Sequence, residues 1–484
     1  MVKKKAKLHK KAMKTKQWDS FLEHQRKCRK AFRQAEWKYV NEKIQSGLEE
    51  NNSKPFWKYI KSKKSDNLGV SPLRSKGKLH SDDKEIAEIL KKQFSSASTI
   101  NKPSSETMPP VKLNISKSLT HITVDPKGVE KLLTDIKPHK ANGPDEIPNL
   151  VLKTCATALA PGISLLFQKS LDSGVLPKDW TDANITPVFK KGDRHAAENY
   201  RPVSLTSVLA KTLEHIVCHA LHKHFDEHDI LTNLNHGFRK GHSCTTQLTI
   251  TVDHIAQYIQ KGFQIVIGVL DFTKAFDTVP HDRLPHKLHC YGVRGELHTW
   301  IQSFLCKRKM RVLVNGEASA EATVDSGVPQ GTVLGPLLFL VHINDLPDRV
   351  SSSVRLFADD CLLYRPVSSP EDAAALQKDL NALECWSADW GMQFNAKKCY
   401  ILTVNNKGFN YFYQLNNHIL QNVTNNPYLG LLLSDSLTWS NHINTICKKA
   451  SSTLGLLRRN LGQCTTSCRR TAYIALVKSM MEYS

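Results

Sequence analysis

The chain lacks any apolar run long enough to cross a bilayer. Its longest, Val333 to Val341, is broken by Gly335 and Pro336, where a membrane helix needs about 20 residues. The basic N-terminus (MVKKKAKLHKKAMKTK) is followed by no apolar segment, which excludes a secretory signal there. Paired cysteine is also missing. The twelve Cys are scattered singly, Cys464 and Cys468 lie closest, and no His/Cys set stands beside them. That excludes a zinc knuckle and fits the reduced thiols of an intracellular protein. Internal repeats are absent too. Acidic residues are few, 45 Asp and Glu against 67 Lys and Arg, a formal charge of +22. Such a surplus favours a polyanionic partner over a small neutral substrate.

The charge is unevenly placed. Residues 1–64 hold 20 Lys and Arg against 6 Asp and Glu, a net of +14 that leaves +8 for the rest. Trp18, Phe21, Leu22, Phe32, Ala35 and Tyr39 recur there at helical spacing, and FWKYIKSKK follows. A basic, helix-rich arm with aromatics suits nucleic acid, and it equally suits an amphipathic helix packed on the body. Ser81 and Asp82 open a short helix, and a Pro- and Ser-rich stretch then separates the arm from the main domain. The expected division is an arm over 1–100, a linker over 101–120, a main domain over 121–435 and a last segment over 436–484. The 484 residues suit two to four units.

Beyond residue 120 the pattern is α+β. Helical stretches at 129–136, 150–172 and 208–224 alternate with short apolar runs. The best strand is FQIVIGVL, nearly all apolar as befits burial on both faces, and it runs straight into Asp271. A second apolar pair flanks Asp359 and Asp360, which predicts a hairpin with carboxylates at its turn. Carboxylates at the edge of an apolar sheet repel each other and resist burial. Divalent cations remove that conflict, and Mg²⁺ is held by one or two carboxylates plus substrate phosphates. Two ions would serve the attacking and the leaving oxygen of a phosphoryl transfer.

The residues around these aspartates extend the pattern. DFTKAFDTVPHDRL begins at Asp271, SGVPQGTVLGPLLF at Ser326 and FADD at Phe357. GPDEIPNLVLK, ITPVFKKGD, NYRPVSL and HGFRKGHS precede them, and GMQFNAKKC and YLGLLLSDSLTWSNHI follow. In order and spacing the chain resembles the reverse transcriptase of non-LTR (LINE-type) retrotransposons.

The resemblance implies a right-hand polymerase with fingers and palm, a partial thumb and the basic helical arm in front. It implies an RNA-directed DNA polymerase that uses an RNA template, a DNA primer and deoxynucleoside triphosphates, with two Mg²⁺ ions or Mn²⁺ and no membrane. Asp271, Asp359 and Asp360 would be the catalytic metal ligands. Phe276 would be the aromatic gate that leaves no room for a 2′-hydroxyl. Asp277 falls one residue past the offset at which RNA polymerases of this palm accept that hydroxyl. Gln330 and Gly331 would form the turn that contacts template and nascent pair, with Gly331 allowing close backbone approach. Lys190, with Lys191 as an alternative, and Arg201 would hold the triphosphate. Lys398, or Lys397, would protonate the leaving pyrophosphate. Gly237, Phe238 and Arg239 would contact the template, and Tyr428, Leu429 and Gly430 would grip the primer.

Such elements usually carry an endonuclease ahead of the polymerase, and none is visible here. The C-terminal SMMEYS resembles an incomplete thumb helix, so the chain is expected to be an internal piece of a longer reading frame. A non-catalytic nucleic-acid-binding remnant is the alternative from another class. Target-primed integration would place the protein in the nucleus, and the cytoplasm stays open, as does the oligomeric state.

Overall fold

The expected central strand is present as Gln264–Leu270, with six of its seven residues buried. The computed structural model describes residues 1–50, 52–63, 69–96, 107–113, 115–462 and 464–483. In chain order the strands of its two main sheets are β1 (Asp182–Phe189), β2 (Tyr200–Leu205), β3 (Gln264–Leu270), β4 (Arg308–Val314), β5 (Ser353–Phe357), β6 (Asp360–Val367), β7 (Tyr400–Val404) and β8 (Gln421–Val423).

The first sheet has the order β8-β7-β3-β6-β5. β3 lies between β6 and β7, antiparallel to both, and this interior position is why its residues are apolar throughout. β5 and β6 form the expected hairpin, with Phe357 opposite Asp360. The helices Cys244–Gln260 and Pro370–Asp389 pack on this sheet. The helix Leu334–Ile343 is buried in the same core at every residue but Pro336. The second sheet runs β2-β1-β4 and then the short strand Glu317–Ala318. In it β1 is antiparallel to β2 and parallel to β4.

The chain forms two compact units, and their limits differ from those expected. The larger comprises residues 69–429 and 433–438. It takes in the helix Asp83–Ser95, which the sequence reading assigned to the basic arm. That helix opens as expected, with the Asp82 side chain accepting from the Glu85 N–H at 3.0 Å. Its apolar residues Ile86, Ala87 and Leu90 are buried with Ala183, Ile185, Met310 and Val312 of the second sheet. An apolar helical stripe is stable only when covered, and this sheet covers it.

The smaller unit comprises residues 1–68, 430–432 and 439–484. Val40, Ile44, Phe56, Tyr59 and Ile60 share a core with Ala450, Leu457, Leu461, Cys468, Ala472 and Val477. The segment 436–484 is therefore not a separate last unit, because its apolar face is completed from the first 60 residues. Of the linker expected over 101–120, residues 101–106 and 114 lie outside the described residues, as does Ser484 at the end of SMMEYS.

Candidate active site

Strand register brings the three expected carboxylates to one edge of the first sheet. Cys361 lies opposite Leu270, so Asp271 and Asp360 continue the same pair of strands. Asp359 occupies the turn beside them, where Ala358 takes a left-handed conformation with φ of 53°. An alanine rarely adopts that conformation unaided, and its neighbours account for it. The Asn235 side-chain oxygen accepts from the N–H groups of both Gly237 and Ala358, at 3.0 and 3.2 Å. A Cβ on Gly237 would stand 2.3 Å from the Ala358 nitrogen, so only glycine allows this approach. Gly237, expected at the template, also supports the turn that carries Asp359.

The Asp271 carbonyl accepts from the Asn395 N–H at 2.7 Å. This ties in the short helix Ala396–Lys398 and leaves Lys398 Nζ 3.5 Å from Asp271 Oδ2. Burial raises the carboxyl of Asp359, and the charge of Asp271 adds to the rise. Burial of the carboxyl and then the charges of Asp359 and Asp271 push Asp360 up to about 6, although the residue as a whole is exposed. Among the described residues no three His, Cys, Asp or Glu side chains stand close enough to hold a metal alone. Crowded carboxylates that resist ionisation are nevertheless a donor set for a hard cation whose shell is completed by phosphate oxygens.

Asp271 and Asp359 line a cavity of about 550 Å³. Lys190, Arg201, Phe276, Gln330, Gly331, Phe238 and Lys398 line it too, whereas Lys191 and Lys397 do not. The register Val188 opposite Arg201 puts Lys190 and Arg201 at the same end of the β1–β2 pair. Burial and then Arg201 lower the pKa of Lys190. The Phe276 ring stacks on Phe339 with centroids 4.3 Å apart and meets the edge of Phe238 at 6.1 Å. A Cβ on Gly331, which has φ of 103°, would stand 2.8 Å from the Ser204 carbonyl oxygen.

Other expected site residues do not line this cavity. Arg239 directs Nη1 at the carbonyls of Leu231 and Thr232 and at the Asn233 side chain, so it braces its own loop. Tyr428 is buried, and its hydroxyl accepts from Gln247 Nε2 at 3.4 Å. Tyr428 and Leu429 belong to the larger unit and Gly430 to the smaller.

Sequence reasoning missed Asn235, whose place just before HGFRKGHS was its only signal. It also missed Glu214, a buried carboxylate that accepts from the N–H groups of Val333 and Leu334 at 2.6 and 3.1 Å. Glu214 thereby caps the helix Leu334–Ile343 behind the Gln330 turn.

Groups that demand cations thus face groups that demand anions across a cavity of nucleotide size. The first sheet carries the first set and a hairpin of the second sheet carries the other. That division of labour is the palm and fingers of a nucleic-acid polymerase.

Comparison with known proteins makes the assignment narrower. Residues 188–433 match the family described as reverse transcriptase (RNA-dependent DNA polymerase), and the chain belongs to that family. Its relatives are of the non-LTR kind. The chain is 30% identical over 343 residues to the RNA-directed DNA polymerase from mobile element jockey of Drosophila melanogaster. That match covers 69% of this chain and 37% of the relative. It is 28% identical over 460 residues to the probable RNA-directed DNA polymerase from transposon BS of the same organism, covering 88% and 50%. The chain thus spans half or less of the length of these two relatives. Among the described residues no helix is long and apolar enough to cross a membrane.

Proposed function

We propose that the chain is an RNA-directed DNA polymerase that extends a primer 3′-OH with deoxynucleotides along an RNA template. The observation that carries this reading is the one cavity that Asp271 and Asp359 line together with Lys190, Arg201 and Phe276. Asp271, Asp359 and Asp360 would hold two divalent cations, Mg²⁺ or Mn²⁺. Bound there, such ions would supply charge neutralisation for the attacking and leaving oxygens.

The chain's own residues account for the rest. Lys190 offers a point charge and Arg201 a fork of donors to the triphosphate. Phe276, backed by Phe339, fills the space a 2′-hydroxyl would need. Lys398 Nζ carries a proton that can pass to the departing pyrophosphate, and its carboxylate neighbour holds it at the cavity wall. Tyr428, Leu429 and Gly430 would hold the primer, and Gly237 and Phe238 the template side. Rate would come from positioning and charge stabilisation, with no covalent work by side chains. The basic helices within residues 1–63 would add phosphate contacts whose strength falls with salt. Work on genomic target DNA would place the protein in the nucleus.

The test is primer extension on poly(rA)/oligo(dT) with Mg²⁺ or Mn²⁺, comparing the wild-type chain with Asp359→Ala. Template-dependent incorporation that the substitution abolishes is the expected result. Equal incorporation by both proteins would overturn the reading, and retained nucleic-acid binding without incorporation would favour a non-catalytic remnant.

A further inference from the structure

Two carboxylates that line the cavity, Glu198 and Asp277, are left unused by this mechanism, and Asp277 is the one bonded to the Gln330 turn. Asp277 follows the gate residue in the short helix Ala275–Thr278 and lines the same cavity. It is partly buried, and removal from water raises its pKa. A carboxylate in such a place costs free energy unless it is hydrogen-bonded. Its Oδ1 accepts from Gln330 Nε2 at 2.8 Å. Arg201 and Lys274 act on it only through their charge.

We propose that Asp277 is a positioning residue whose carboxylate holds the Gln330 amide in one orientation, so that the Gln330 turn meets the incoming nucleotide in a preset geometry. The inference rests on the polymerase reading of this cavity. An ionised carboxylate offers only acceptors, so the Gln330 amide must turn its NH₂ toward Asp277 and its Oε1 away. An isolated glutamine would exchange the two ends freely; here one arrangement is favoured.

The backbone is held at the same place. The Gln330 carbonyl accepts from the Ser204 N–H at 2.8 Å, and the Val328 N–H donates to the Phe276 carbonyl at 2.7 Å. Ser326 Oγ donates to the Asp277 carbonyl at 2.9 Å. A Cβ on Gly327 would stand 2.7 Å from the Asp277 carbonyl oxygen. Gln330 is therefore fixed through its main chain by β2 and through its side chain by Asp277. The gate and the turn are hydrogen-bonded to each other, and preset geometry of this kind lowers the ordering cost of binding.

A double-mutant cycle on the full chain tests this, with KM for dTTP and kcat measured on poly(rA)/oligo(dT). Asp277→Ala is expected to raise KM about tenfold with kcat within about threefold, a split that marks lost ground-state positioning. Gln330→Ala should do the same, and the double variant should be no worse than Gln330→Ala alone. Asp277→Asn, which keeps an Oδ1 acceptor, should stay within about twofold of wild type.

Multiplying effects in the double variant, or an unchanged KM in Asp277→Ala, would overturn the proposal. If Asp277→Ala does not fold, Asp277→Asn decides alone: a loss as large as that of Gln330→Ala overturns it, and a KM near wild type supports it. Absence of incorporation by the wild-type chain would strike the polymerase reading itself. In that event, binding of a fluorescent dTTP to the chain on primer–template carries the same cycle.

Discussion

Two places in the larger unit hold charge away from water, and they treat it in opposite ways. In the core, Lys287 is fully buried and donates to the Asp345 carboxylate at 2.6 Å and to the His342 carbonyl. Its Nζ also lies 3.6 Å from the centre of the Trp390 ring, and Trp386 Nε1 donates to the same Asp345 oxygen at 2.9 Å. Burial still pulls the lysine down to about 8, with Asp345 opposing that fall. At the sheet edge, Asp359 and Asp360 stand with Asp271 and repel one another. One basic group, Lys398, lies 3.5 Å from that edge, at Asp271. The first arrangement pairs its charges within the core, although Asp345 Oδ2 is left without a hydrogen bond, and it serves the fold. The second leaves a deficit that the charges of Lys190 and Arg201 only partly offset, and under the proposed function a divalent cation would fill it. Buried charge by itself therefore does not mark a site; uncompensated charge facing a cavity does.

Removing a carboxylate from the edge tests the comparison most severely. Asp271→Asn should lower incorporation about 10³-fold while leaving the melting temperature within a few degrees, read by primer extension and thermal unfolding together. A large loss of stability would mean that the edge, too, serves the fold. The core should respond in the opposite sense. Lys287→Met leaves Asp345 buried without its cation and should destabilise the protein by about 3 kcal/mol, measured by denaturant unfolding.

Asp360→Asn should stabilise the metal-free protein. A carboxyl raised to about 6 favours the folded state at low pH, and that advantage is lost as pH rises through about 6. In chelator the substitution should therefore gain about 1 kcal/mol at pH 7.5, after allowance for the solvent that reaches one side of Asp360, and nothing below about pH 4. Stability curves with pH that coincide for the two proteins would remove the repulsion argument. A change of similar size is expected at the gate. Phe276→Val should raise ribonucleotide use relative to deoxynucleotide use about tenfold, or about 1.4 kcal/mol, in competitive extension assays.

Much of this was readable along the chain. Apolar runs around lone aspartates announced β3 and the β5–β6 hairpin, because strand period and turn placement are local properties. The segments near Ser326 and Phe357 could be set in order by spacing alone. What spacing hid were partnerships between residues far apart in the chain. Asn235 joins Gly237 to Ala358, Glu214 caps a helix more than 100 residues later, and Asp277 meets Gln330. None of these residues carries a local sign of its partner. Arg239, expected at the template, has near partners in its own loop, at Leu231, Thr232 and Asn233.

The shortage of acidic residues, the basic first 64 positions and the ordered aspartates were enough to name a polyanion-handling chemistry. They depend only on composition and on local sequence. Which residues share a core was decided by folding. An apolar face can be covered by any complementary surface the chain reaches, however distant in sequence. Hence Ile86 and Leu90 found the second sheet, and Phe56 found Leu457 and Ala472. The same holds at the site, where register between β3 and β6, and not spacing, set Asp271 beside Asp360.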